Sequence, residues 1–236
     1  MELQESTEPR LTISTDKLGH GFYGTVYLGR LKLRGKRIRV AVKVPHTPLK
    51  DNEVDLHRNA IEAFKGAGLP VPRTEFIKHE GRWVQVMHLF GSKTAKSKIG
   101  RSANDLLDPK ANLTDQPLRE PAARAELIEI MAKIANLGYW PTFDSISHYA
   151  GRTRRFLVTD FDAYGRERYW GFKPTGPLNE LKEGLTRLAE VAGVEHGEIL
   201  AEFTRHLTNP RAKDAIRHVA LLIQDEKREE IARRRA

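Results

Sequence analysis

Three glycines and one lysine constrain this chain more than any other feature. Gly19, Gly21 and Gly24 stand in the spacing G-x-G-x-x-G, and Lys43 closes the apolar run Val40-Ala41-Val42. Glycines at that spacing also mark ordinary turns, so the residues downstream decide the reading. Thr25-Val26-Tyr27-Leu28 favours a strand rather than a helix, which argues against a dinucleotide-binding fingerprint. Arg34-Gly35-Lys36 reads as a hairpin turn, and Ile38 to Val44 as the returning strand. An ammonium in such an apolar strand is costly to desolvate unless an anion meets it. An ordinary three-stranded meander with a glycine-bearing turn is the plainer alternative.

Together the glycine hairpin and Val40-Ala41-Val42-Lys43 resemble the amino-terminal lobe of the protein-kinase superfamily. The resemblance implies an α+β, bilobal protein-kinase-like fold. Its N-lobe, residues 11–90, is an antiparallel β-sheet with one helix; its C-lobe, residues 91–236, is reduced and mainly helical. The whole chain is then one minimal kinase domain using ATP and Mg²⁺. Gly19, Gly21 and Gly24 would let backbone amides approach the phosphates, and Lys43 would supply a point charge. Val26, Ala41, Met87 and Leu89 would line the nucleotide site, with His88, Leu89 and Phe90 as a hinge whose backbone meets adenine.

A chain of 236 residues can bury one substantial core, or two lobes sharing a cleft. The net charge of +9 is spread along the sequence and is mostly explained by solvated faces, so nucleic acid is not expected as a partner. Without cysteine, disulfide scaffolds and thiolate metal sites are excluded. No apolar run reaches the ~18 residues of a membrane span, and the polar start MELQESTEPR lacks the pattern of a secretory signal. A soluble, cytoplasmic monomer is expected; specialised secretion into a host cell stays open.

Asp51 offers an N-cap for a helix from Asn52 to about Gly66, ended by Gly66, Gly68 and Pro70. In the resemblance this helix supplies a glutamate to Lys43, and two are available, Glu53 and Glu62. At ~100° per residue they lie on opposite faces. Glu53 shares a face with His57, Ala60 and Phe64, whereas Glu62 is flanked by Arg58 and Lys65. Glu53 is therefore assigned to Lys43; a first-turn carboxylate favoured by the helix dipole is the alternative. Strands are expected at Thr74 to Lys78 and Trp83 to Leu89, around a turn at Glu80-Gly81. Pro121 and Gly138 bracket a helix with the stripe Leu127, Ile130, Met131, Ile134, Leu137.

Asp144 is the only carboxylate between that helix and the next strand, which makes it the candidate to orient or deprotonate an attacking hydroxyl; a turn or helix-capping aspartate is the alternative. The kinase pattern H-R-D-x-x-x-x-N is degenerate here. Neither His nor Arg precedes Asp144, and Tyr149, beside His148, stands in the Asn position. A hairpin of Ile146 to Tyr149 and Arg155 to Val158 leads to Thr159-Asp160-Phe161-Asp162, which resembles D-F-G with Asp for Gly. Asp160 is the expected Mg²⁺ ligand, and Asp162 would add charge near a second ion in that scheme. His148 is a further candidate ligand, though imidazole suits Mg²⁺ poorly. Three helices complete the chain, at 177–192, 195–207 and 211–234, the last with an exposed, charged end.

The resemblance implies an ATP- and Mg²⁺-dependent phosphotransferase of minimal, bacterial-effector type, acting on Ser/Thr of a protein that could belong to a host. The alternatives are a nucleotide-binding pseudokinase that acts as an interaction module, and a small-molecule kinase of aminoglycoside or choline type.

Overall fold

The computed structural model describes residues 10–21, 23–33, 35–89, 101–108, 116–149, 155–161 and 175–235. Phe90, Asp162 and the aromatic stretch from Tyr164 to Phe172 lie outside them. The fold is mixed α+β. Five antiparallel strands form one sheet in the order β1-β2-β3-β5-β4: β1 Arg10–His20, β2 Gly24–Leu33, β3 Lys36–Pro45, β4 Thr74–His79 and β5 Arg82–His88. Between β3 and β4 runs helix α1, Asp51–Gly66. A second, three-stranded sheet joins β6 (Arg101–Ser102), β7 (Ile146–Tyr149) and β8 (Arg155–Val158). The other elements are helices α2 (Ala103–Leu106), α3 (Pro121–Asn136), α4 (Thr175–Ala192), α5 (His196–His206) and α6 (Pro210–Arg235), with short 3-10 turns at Pro117–Arg119 and Phe143–Ser145.

Local chemistry explains these boundaries. Glu80 and Gly81 both take positive φ, 49° and 76°, the conformation that a tight two-residue hairpin between twisted strands requires. At the end of α3, Gly138 has φ 87°; its N–H bonds the Ala135 carbonyl and that of Tyr139 bonds the Ile134 carbonyl, a Schellman closure. Pro121 opens the same helix, where a missing N–H costs nothing. The α1 helix begins one residue earlier than its sequence suggests: Lys50, not Asp51, is the N-cap.

The two faces of the large sheet differ. Val40, Val42, Val84 and Val86 bury themselves on one side with Leu11 and Leu31. Alternation sends Ala41, Lys43 and Met87 to the other, where Met87 lies opposite Ala41 in register. A larger core runs from Val54, Ile61 and Phe64 of α1 through the buried stripe of α3 to Leu185 and Leu188 of α4. Phe64 is at its centre, edge-on to Tyr139 at 5.2 Å and 6.0 Å from Phe161. The Val158 amide also donates to the Pro70 carbonyl at 3.0 Å, stitching β8 to the segment after α1. No helix among the described residues is long and apolar enough to cross a membrane.

Candidate functional site

Strand β3 carries Lys43 at 7% exposure, and its Nζ donates to Asp160 Oδ1 at 2.8 Å. The two residues are 117 positions apart. Asp160 lies just past the end of β8, and Phe161 beside it is fully buried, so packing of the ring fixes where the carboxylate emerges. The carboxylate side chain keeps 36% of its exposure, open to a cavity.

That cavity has a volume of about 440 Å³, within the ~300–1,000 Å³ common for ligand sites. Gly19, Val26, Ala41 and Lys43 line it, together with Met87, His88 and Leu89. Asp144, Asp160, Ser147 and Thr159 line it as well. Eight of the expected site residues thus share one space: Gly19, Val26, Ala41, Lys43, Met87, Leu89, Asp144 and Asp160. Gly21 and Gly24 are not among its lining residues. The hinge is only partly as expected, because the His88 N–H is already given to the Arg73 carbonyl at 2.9 Å.

The three glycines are not equivalent. A Cβ on Gly24 would come within 2.7 Å of the Val44 carbonyl, so the β2–β3 approach itself demands glycine. A Cβ on Gly19 would meet nothing within 4 Å, and on Gly21 only the Gly24 carbonyl at 3.9 Å. Neither has positive φ. The fold therefore does not require glycine at positions 19 and 21. The turn is braced from outside: Gly21 N–H donates to the Gly24 carbonyl at 2.9 Å, and His46 Nε2 lies 3.1 Å from the Gly21 carbonyl. His20 stacks near His46, with ring centres 5.0 Å apart.

Two expected roles are corrected. Glu53 does not pair with Lys43. Its Oε2 accepts the Lys50 amide at 2.8 Å, because a helix that starts at Asp51 puts Glu53 in the first turn, where unpaired amides compete for a carboxylate. Val54, His57, Ala60, Ile61 and Phe64 are the residues α1 buries, and Glu62 pairs outward with Lys65. His148 is not placed to hold a metal beside Asp160. Its neighbour Ser147 lines the cavity, so alternation turns His148 to the opposite face of β7, where its ring lies 4.9 Å from Phe156.

Ser147, Thr159, Ser102 and Asp105 are polar lining residues that sequence reasoning missed. Ser147 Oγ and Thr159 Oγ1 are 2.8 Å apart. Ser145 is another residue it missed: its carbonyl accepts the amides of both Thr159, at 2.9 Å, and Asp160, at 3.3 Å. Its hydroxyl donates to the Thr142 carbonyl, closing the 3-10 turn Phe143–Ser145 that carries Asp144. One signal was present in the sequence, the Ser-Ile-Ser run after Asp144, but its register was not.

Chemically, the arrangement offers one buried ammonium, three carboxylates (Asp105, Asp144, Asp160) and three hydroxyls (Ser102, Ser147, Thr159) around a space also lined by apolar side chains. No family model matches the chain, and no curated protein matches it.

Proposed function

We propose that the protein is an ATP- and Mg²⁺-dependent phosphotransferase with a bilobal, kinase-like arrangement, acting on Ser/Thr hydroxyls of a protein. The observation that carries the proposal is the 2.8 Å contact of Lys43 with Asp160 inside a cavity that Gly19 also lines. A lysine on a sheet and a carboxylate from a distant loop converge where a triphosphate and its counter-ion need charges of opposite sign. The empty space around a Cβ at Gly19 and Gly21 supports it, since glycine there serves something other than the fold.

The donor set fits Mg²⁺. This ion takes hard oxygen ligands and keeps several from phosphate and water, so it needs only one or two carboxylates. Asp160 would hold it, with the Ser147 and Thr159 hydroxyls in the same lining. Among the described residues there is no cluster of three His or acidic side chains that would form an all-protein metal site. Bound Mg²⁺ would neutralise charge on the phosphates. Met87 and Leu89 offer the base an apolar surface, and Lys43 counters phosphate charge. Asp144 aligns the acceptor hydroxyl and takes its proton as the phosphoryl group is transferred.

One observation favours a second reading, a nucleotide-binding module that transfers nothing: Glu53 serves the α1 N-terminus instead of Lys43. Labelled ATP separates the two. The protein is incubated with γ-³²P-ATP, Mg²⁺ and cell lysate beside Lys43→Ala and Asp160→Ala. Label on protein, lost in both variants, is the expected result. Bound ATP with no label anywhere would establish the second reading, and label confined to metabolites would make the acceptor a small molecule.

A further inference from the structure

The cations of this chain are spread along the sequence, but their neutralisation is not. Residues 10–45 hold nine Lys and Arg against a single acidic residue, Asp16, so the segment that forms β1, β2 and β3 accounts for +8 of the net +9. Register gathers five of these cations. Arg10 lies opposite Lys32, and Lys32 opposite Arg37; one step along, Thr12 lies opposite Arg30, and Arg30 opposite Arg39. Residues paired in this way share a face, so five cations and one threonine fill a grid of two rows across three strands. Its strands are about 4.8 Å apart and its rows about 7 Å apart. All six side chains are exposed except Arg39, which is half-buried. The same face carries Val26, Ala41 and Lys43 of the cavity, and the grid starts two residues beyond Ala41.

Two features set this face apart from an ordinary solvated one. Like charges directly opposite each other weaken a sheet, and here three such pairs stand in register, Arg10–Lys32, Lys32–Arg37 and Arg30–Arg39. On the helices, exposed cations carry their own counter-charge: Arg58 meets Asp55, Arg217 meets Asp214 and Arg233 meets Glu229. Arg10, Arg30, Arg37 and Arg39 make no ion pair among the described residues.

We propose that this grid binds the phosphate backbone of duplex DNA, independently of the nucleotide cavity and without reading sequence. A guanidinium forks onto a phosphate with two N–H donors, and four of the five cations are arginine. No grid position is aromatic or apolar, which leaves a protein partner without an anchor and a single strand without a stacking surface. A bilayer would find no side chain to insert as its second hold, because the exposed large apolar residues, Tyr23, Leu56, Leu221 and Ile231, lie off the grid. Duplex RNA is held through its 2′-hydroxyls as well as its phosphates, and only Thr12 offers a neutral polar group. The DNA backbone asks for charge alone.

The full chain is titrated into a short fluorescein-labelled DNA duplex, with anisotropy read between about 50 and 200 mM NaCl. Each phosphate neutralised contributes about −0.9 to the slope of log K against log salt, so the four arginines predict about −3.6. Arg30→Gln with Arg39→Gln should halve that slope. Arg10→Gln with Arg37→Gln should do the same, and serves as the test should the first variant fold poorly. Arg217→Gln with Arg228→Gln removes equal charge from α6 and should leave the slope unchanged. No binding at about 50 mM salt, or an equal loss in the α6 variant, overturns the proposal. Tighter binding of single-stranded DNA, of duplex RNA or of phosphatidylserine vesicles would overturn it in favour of that partner.

Discussion

Lys43 and Asp160 were legible as a pair because their chemistry is scarce: few lysines end an apolar strand, and few aspartates lead directly from one into an aromatic residue. Glu53 and His148 were not legible, for two separate reasons. An acidic residue near a helix start is claimed by whichever amides the start leaves open, and one position of difference in the N-cap decides that. On β7, parity decides: pairing of Ser147 with Leu157 and of His148 with Phe156 sets which of two adjacent residues meets the cavity. Neither is written in composition or spacing. Gln85, opposite Lys43 in register, provides a residue-scale prediction. Its side-chain nitrogen is buried without a partner, so Gln85→Met should leave stability unchanged or raise it by up to about 1 kcal/mol. Urea unfolding checks this; a loss of similar size would mean that the amide is paired.

At the scale of elements, the helices and hairpins were readable wherever a residue type has a stereochemical duty, as at Pro121, Gly138 and Glu80-Gly81. The short β6 strand was not, because Arg101 and Ser102 acquire strand character only from pairing with His148 and Ser147. Helix α4 meets the turn that carries Asp144 where Gly184 packs on the Phe143 ring. Gly184→Ala should push the Phe143 ring aside, costing about 1–3 kcal/mol. On the proposed reading, phosphate transfer should fall further than nucleotide affinity; an unchanged turnover number would separate α4 from the placement of Asp144. The start of α1 carries a pH signal. Trp83 Nε1 donates to Asp51 Oδ1 at 2.6 Å, and this bond, with Lys78 second, holds the Asp51 carboxyl below the usual carboxylate range. Its contribution to stability is therefore complete above the ordinary aspartate pKa and is lost as pH falls through the depressed one. Trp83→Phe should return the Asp51 titration, measured by NMR, toward its ordinary value.

For the molecule as a whole, the proposed ligand is gripped by parts far apart in the chain, so binding should resist unfolding of all of them together. At MgATP near 100 times its dissociation constant the gain is about 2.7 kcal/mol, which for a chain of this size raises the melting temperature by roughly 5–10 °C. Asp160→Ala should lose most of that shift in a thermal melt, and a shift retained in full would remove Asp160 from the site. The doubled hydrogen bond at Ser145 bears on how such a grip can work. Because the Ser145 carbonyl accepts the amides of both Thr159 and Asp160, the turn that carries Asp144 is tied to the strand end that carries Asp160, and the two carboxylates are held at a set spacing. On the proposed reading, a pull on either carboxylate would pass to the other through that shared carbonyl.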